Sequence, residues 1–341
     1  MQPAQTVARL HAPGDVRVAD EPPPTVGPGE VLLRVTSVGL CGSDLHWYED
    51  GAIGEARLDR PLVLGHEISA VIEDGPRRGT RVAVDPADPC GTCTTCADGH
   101  EELCAVMRFA GHSTTDGGLR RLMAWPERRL HTVPESIGDE EASLLEPLGV
   151  AIHAVDLGAV VPGMRAAVVG CGPIGLLVIG ALRAAGIDDI VATDVLPHRV
   201  AAARHAGAAR AWLAREGTLP ERDQSDDRAD VAFDCAGDEA AVNDAIRIAA
   251  PAGRVVLVGI PGDDRTTFTA STARRKGLTL VLCRRMTAAD LDRAIALAAD
   301  GRIDLTSLIT DRFPLDEASA AFAALAARRG LKVVVQPAGP T

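Results

Sequence analysis

The chain has 341 residues, more than one hydrophobic core usually fills, so about two domains of roughly 150 residues each are expected. Its 47 acidic against 35 basic side chains leave a formal net charge of -12, which repels a phosphate backbone and excludes nucleic acid as the expected partner. Eight cysteines, five of them in metal-ligand contexts, and no basic-then-apolar leader from Met1 to Leu10 fit a reducing, cytoplasmic interior better than a secreted disulfide framework.

Up to about residue 150, short apolar runs such as 31–35 and 81–84 alternate with turn clusters, Glu21-Pro22-Pro23-Pro24 and Gly27-Pro28-Gly29 among them. That texture predicts an antiparallel, loop-rich lobe with little helix. From about residue 165 the pattern becomes strand then helix. Strands are expected at 166–169, 190–193, 231–234, 254–258 and 278–282, with Ala-rich helical segments between several of them, which implies a parallel, doubly wound sheet. The longest uncharged stretch, 166–182, is shorter than a membrane span and is broken by Gly170, Gly172, Pro173 and Gly175, so it reads as a buried strand and the start of its helix. Residues 215–227 are polar and read as a surface loop. The tail carries expected helices at 288–300 and 315–328 and a last strand at 331–335.

Three constellations carry chemistry. Cys90, Cys93, Cys96 and Cys104 have two, two and seven residues between them, so one short lobe can bring four sulfurs to a point. Full thiolate coordination of zinc leaves no open position, and this metal is expected to hold a loop in shape. The second set is mixed: Cys41 after an apolar strand, His66 and Glu67 in Leu64-Gly65-His66-Glu67, and Glu146 before Pro147. A thiolate, an imidazole and a carboxylate with water leave an exchangeable place, as Lewis-acid catalysis requires. Taken singly, each is more often a core or surface residue; occurring together beside a four-cysteine loop, they point to a metal. The third is Gly170-Cys171-Gly172-Pro173-Ile174-Gly175 between a strand and a helix, with Asp194 ending the next strand nineteen positions later. Such glycines admit a pyrophosphate at the helix N-terminus, the acid holds ribose hydroxyls, and it favours NAD over NADP; Arg199 lies near enough to stack on adenine or contact the ribose.

With these motifs the chain resembles the zinc-dependent medium-chain alcohol dehydrogenases, in their sorbitol (polyol) dehydrogenase branch. The stretches Gly39-Leu40-Cys41-Gly42-Ser43-Asp44-Leu45-His46-Trp47, Leu64-Gly65-His66-Glu67, Met107-Arg108-Phe109 and Glu146-Pro147-Leu148-Gly149 carry the likeness, which runs over nearly the whole chain. The resemblance implies an α/β fold: a Rossmann-type doubly wound parallel sheet (150–285) plus a GroES-like antiparallel β-barrel catalytic domain (1–149, completed by 286–341). It implies that Cys41 and His66 bind catalytic zinc, with Glu67 and Glu146 both on offer as carboxylates, and that Asp44 supports His66. Ser43 and His46 would relay the proton. Trp47, Phe109 and Arg284 would face the substrate, and Val258, Gly259 and Ile260 would pass beneath the nicotinamide. The expected activity is zinc- and NAD-dependent oxidation of a polyol or other secondary alcohol. Alternatives are a threonine or hydroxy-acid dehydrogenase of the same fold, or a zinc-stabilised nucleotide sensor without turnover. Relatives of this kind are dimers or tetramers, so a homotetramer or dimer meeting through the late strands of the nucleotide lobe is expected, with no membrane partner. Two departures from the pattern stand out: a shortened loop at 73–81, and Trp47 where polyol enzymes often have tyrosine.

Overall fold

Alternating apolar residues decide where the chain turns inward. In the third strand Val31, Leu33 and Val35 are buried while Leu32 and Arg34 are only partly so, the period-2 pattern of a strand with one face on a core. A computed structural model describes residues 4–214 and 228–338; the expected polar loop at 215–227 lies outside the described residues. The chain forms two compact units. The first comprises Met1–Glu146, Thr287–Ala299 and Leu305–Thr341, and the second Pro147–Met286 and Asp300–Asp304.

The first unit begins with β1 (Gln5–Ala12), β2 (Asp15–Glu21) and β3 (Glu30–Gly39), followed by α1 (Gly42–Asp50). Short strands β4 (Ala52–Ile53) and β5 (Ala56–Arg57) precede β6 (Glu67–Ile72), β7 (Arg81–Val84) and β8 (Ala87–Asp88). A one-turn helix α2 (Thr94–Ala97) sits in the cysteine lobe; β9 (Arg108–Phe109), β10 (Leu122–Pro126), β11 (Leu130–Thr132) and α3 (Asp139–Ser143) follow. Helix α4 (Leu145–Leu157) leads to the second unit: β12 (Arg165–Val169), α5 (Pro173–Ala184), β13 (Asp189–Asp194), α6 (Pro197–His205), β14 (Arg210–Leu213), β15 (Ala229–Asp234), α7 (Glu239–Ile248), β16 (Ala249–Leu257), α8 (Ala270–Lys276) and β17 (Thr279–Leu282). The chain then returns to the first unit with α9 (Ala288–Ala299), β18 (Ile309–Pro314), α10 (Ala318–Ala327) and β19 (Lys332–Gln336).

Among the described residues the main sheet of the first unit runs β11-β7-β6-β3-β19-β18, with β10 also paired to β3. The pairings are antiparallel except one: β18 and β19 run parallel, because α10 forms a crossover between them. The parallel pair lies in the tail strands, beyond the antiparallel stretch expected up to about residue 150. The buried faces of β1, β3, β6 and β10 pack with Trp47, Trp125 and the α10 residues Ala321 and Phe322 into one core.

Among the described residues the second unit holds a six-stranded parallel sheet in the order β14-β13-β12-β15-β16-β17. Successive units step outward from β12 in one direction and from β15 in the other, so right-handed crossovers send α5 and α7 to opposite faces. The reversal between β12 and β15 opens a crevice at their carboxyl ends, the place where such sheets bind ligands. No described helix in either unit is long and apolar enough to cross a membrane.

Candidate active site

The first unit gathers a metal-donor group from two strand ends. At the exit of β3, Cys41 caps α1, and at the entry of β6 stand His66 and Glu67; one donor atom from each lies within 4.8 Å of the others. Asp44, in the first turn of α1, ties the two segments together. Its Oδ2 accepts from the Cys41 backbone N–H at 3.0 Å, its Oδ1 accepts from the Gly65 N–H at 3.1 Å, and Oδ1 lies 3.5 Å from His66 Nδ1. With Nδ1 turned to Asp44, the other ring nitrogen of His66 lies 3.4 Å from Ser43 Oγ. A carboxylate behind a ligating imidazole fixes its orientation and raises its basicity.

Electrostatics make the spot attractive to a cation. Burial alone would pull the His66 imidazole down, but the charge and hydrogen bond of Asp44, with Cys41 adding to them, raise it well above its ordinary value. The same field that favours a proton on that ring favours a metal ion in its place. Glu67 is fully buried and its two oxygens lie 2.6 and 2.5 Å from Lys332 Nζ. Burial pulls the Lys332 ammonium down, and the charges of Glu67, Cys41 and Glu146 together with the Glu67 hydrogen bond more than offset it. Glu146 is buried too, outside the three-residue donor group; burial pushes its carboxyl up to about 7, with the Glu67 charge adding to the effect and His66 opposing it.

The structure arranges the surrounding residues unevenly. His46 sits one turn beyond Ser43 on α1 with its side chain 23% exposed and Nδ1 3.7 Å from Asp50. Phe109 packs a tilted ring 5.5 Å from that of His66. Trp47 belongs to the apolar core, with its indole edge-on to His112 at 5.5 Å. His112 also meets Phe109 edge-on at 6.4 Å, which joins His66, Phe109, His112 and Trp47 into one aromatic chain. Sequence reasoning passed over His112, since nothing in its spacing distinguishes it from a loop histidine.

The cysteine lobe is a separate cluster. Cys90, Cys93, Cys96 and Cys104 bring their sulfurs within 4.8 Å of one another, with the closest pairs at 3.4, 3.6 and 3.9 Å. A tetrahedron of sulfurs about 2.3 Å from zinc has edges of about 3.8 Å, so the four thiols stand at zinc-site spacing. All four are free cysteines. The Thr92 and Cys93 backbone N–H groups bring the Cys90 thiol down to about 6, while burial pushes that of Cys96 up to about 12.

In the second unit, β12 ends in Gly170, whose φ of +91° suits glycine, and Gly172 caps α5 with Pro173 in its first turn. A methyl on Gly175 would sit 1.9 Å from the Gly170 carbonyl, so Ile174 and Gly175 can turn this tightly only with glycine at the second place. Asp194 closes the turn: its oxygens accept from the Cys171 N–H at 2.7 Å and the Leu196 N–H at 2.8 Å. Arg199, on α6, approaches Gly172. Asp234, at the end of β15 and missed in the sequence, shapes the neighbouring loop, accepting from Ala236 and Gly237 through Oδ1 and from the Val258 and Gly259 N–H groups through its carbonyl. Ile260 and Arg284 are exposed, the latter just past β17.

Comparison with known proteins agrees with this construction. Residues 27–135 match the alcohol dehydrogenase GroES-like domain, and residues 173–300 match the zinc-binding dehydrogenase domain. The sorbitol dehydrogenase of Bacillus subtilis is 32% identical over 341 residues, covering 97% of this chain and 96% of that one. A protein named "Probable D-xylulose reductase A" from Aspergillus terreus is 36% identical, covering 94% of each. Among solved structures, a short chain alcohol dehydrogenase from Escherichia coli CFT073, complexed with NADH, superposes with a TM-score of 0.89 at 26% identity over 98% of this chain and 99% of that one. The chain therefore belongs to the zinc-dependent medium-chain alcohol dehydrogenases, in their sorbitol dehydrogenase-like branch.

Proposed function

We propose that this enzyme oxidises a polyol or related secondary alcohol with NAD. The observation that carries the reading is the Cys41, His66 and Glu67 group, three different donors within 4.8 Å around a site whose field favours a cation. A one-thiolate, one-imidazole, one-carboxylate set suits zinc with a place left for an alcohol oxygen. Cys41 Sγ, the His66 nitrogen facing Ser43, and a carboxylate from Glu67 or Glu146 would hold the ion; it would supply Lewis acidity toward that oxygen. NAD would be held in the second unit by Gly170, Gly172, Pro173, Ile174, Gly175, Asp194 and Arg199, with Val258, Gly259 and Ile260 along the nicotinamide; it supplies the hydride acceptor. The Cys90, Cys93, Cys96 and Cys104 lobe would carry a second, structural zinc.

Ser43 Oγ, beside His66, takes the alcohol proton, and His46, one turn on and partly exposed, delivers it to water. Phe109 and Trp47 keep the metal surroundings dry, and Arg284 reaches the substrate or nicotinamide. Carboxylate ligation leaves a polar metal environment, which suits a substrate with adjacent hydroxyls. The first unit thus serves catalysis and the second binds nucleotide. Eight free cysteines favour the cytoplasm. A dimer, or a tetramer built from it, forms through the edge strand β17, where Leu282 is 76% exposed. The test is metal analysis coupled to NAD reduction over sugar alcohols, threonine and simple alcohols. Wild type should turn over sugar alcohols fastest, and Cys41→Ala should lose turnover while still binding NAD. Activity surviving in Cys41→Ala, or faster turnover of threonine or simple alcohols, would refute the reading.

A further inference from the structure

The first unit buries a lysine beside its metal-donor group, and the strand register explains how it gets there. In the order β6-β3-β19, Gly39 is paired with Glu67 on one side and with Val334 on the other. Directly paired residues share a face, and Lys332, two positions before Val334, projects from the same face. Gly39 contributes no side chain there; a methyl on it would fall 2.0 Å from Glu67 Oε2. Room is thus left for the Lys332 stem to cross β3 to the carboxylate.

The ammonium arrives hydrogen-bonded to Glu67 Oε1 and the Leu40 carbonyl, with Glu67 Oε2 in ion-pair contact. Nζ lies 2.6 and 2.5 Å from the two Glu67 oxygens and donates to the Leu40 carbonyl at 3.0 Å. Leu40 directly precedes Cys41, and its own N–H donates to Val333 at 2.9 Å, so β19 grips the backbone that delivers the thiolate as well as the side chain that delivers the carboxylate. With both partners almost wholly out of water, an apolar pair of the same volume would often be as stable or more so. What the lysine adds is a carboxylate held in one orientation.

On the reading above, of Cys41, His66 and Glu67 as the catalytic metal site, we infer that Lys332 is a positioning residue for that site, acting through Glu67. Without it, the buried carboxylate loses the partner that aims it and turns away, and the metal loses a donor. Partners that orient metal ligands commonly govern affinity as strongly as this.

Co2+ loaded into the full chain is the probe, read by chelator competition and by its thiolate charge-transfer and d–d absorption, isolated as the difference from Cys41→Ala. Lys332→Gln should weaken Co2+ retention at the Cys41 site about 10–100-fold and change its spectrum, while the cysteine lobe keeps its metal. Lys332→Arg, which keeps charge and donors, should recover most of the loss. In a Glu67→Gln background, Lys332→Gln should add nothing further. Wild-type affinity and spectrum in Lys332→Gln would overturn the inference, as would an equal loss in both backgrounds. Should the single variant fail to fold, the double variant, neutral on both sides, is compared with Glu67→Gln, and a difference in affinity between them overturns it. If wild type shows no Cys41-dependent absorption, the metal site itself is misassigned and the inference falls with it.

Discussion

Replacing Gly39 with alanine tests the packing around Glu67 at a position that carries no chemistry of its own. Its φ is not in the left-handed region, so alanine meets no backbone penalty and the cost comes from the added methyl alone. That methyl would stand 2.0 Å from Glu67 Oε2 and 3.2 Å from Glu67 Cβ and Cδ, with β3 and β6 fixed by their ladder. The carboxylate must move by more than an ångström and leave Lys332 behind. Breaking one side of a buried ion pair costs about 3–5 kcal/mol. Alanine returns roughly 0.5–1 kcal/mol by restricting the unfolded chain, so a net loss of about 2–4 kcal/mol is expected. At roughly 2–4 °C per kcal/mol, the melting midpoint should fall by about 5–15 °C. The assay is thermal unfolding of metal-depleted and metal-loaded protein, with Glu67→Ala as control. In that background Gly39→Ala should cost much less, since only the 3.2 Å approach to Cβ remains. A Gly39→Ala single variant that melts with wild type and holds its metal as well would refute this account of the pocket.

Further expectations follow from the thiols and the nucleotide turn. In metal-depleted protein, alkylation followed by mass spectrometry should label Cys90 early, because its thiol, brought down to about 6, is mostly thiolate at neutral pH. Cys171, pushed up to about 12 by burial and then by Asp194, should label last; early labelling of Cys171 would contradict the closed turn. The sign follows from ionisation: above about 6 the Cys90 thiolate is present and nucleophilic, and as pH falls through that value labelling should slow. Asp194→Asn removes a charge that repels a ribose phosphate and should raise the ratio of NADP to NAD efficiency about tenfold, equivalent to about 1.4 kcal/mol. An unchanged ratio would locate the discrimination elsewhere. Leu282→Lys on the edge strand should shift the protein toward monomer in size-exclusion chromatography, and an unaltered elution volume would exclude β17 as the contact.

What could be read in the sequence was what is encoded in side-chain chemistry at short range. The cysteine spacing announced a cluster that the structure assembles, and the Gly170 to Gly175 turn with Asp194 announced a strand, turn and helix that are all present. Parallel strands stood out because their apolar runs are continuous, and β7 falls on the expected residues 81–84. The less legible parts depend on partners far along the chain. Lys332 and Glu67 are 265 positions apart, and the only hint was a charge inside the apolar run Leu331-Lys332-Val333-Val334-Val335. Trp47 was expected beside substrate and packs in the core, because helix α1 turns its long apolar side chains inward. The helix expected at 315–328 starts with a 3-10 turn at Leu315–Glu317, which passes into α10 at Ala318. Strand β16 begins at Ala249, earlier than expected, since Pro251 and Gly253 hid it behind turn-like residues.

The first unit is not contiguous in the chain: its sheet seats β3 against β19, with the whole second unit threaded between them. During synthesis at about 5–20 residues per second, the thiolate, imidazole and glutamate emerge early, while the lysine that pairs with the glutamate follows it by 265 residues. A nascent polypeptide can therefore fold its nucleotide module before the pocket around Glu67 is complete, which requires β19 to have emerged. A cation captured before that moment would meet an unbraced carboxylate.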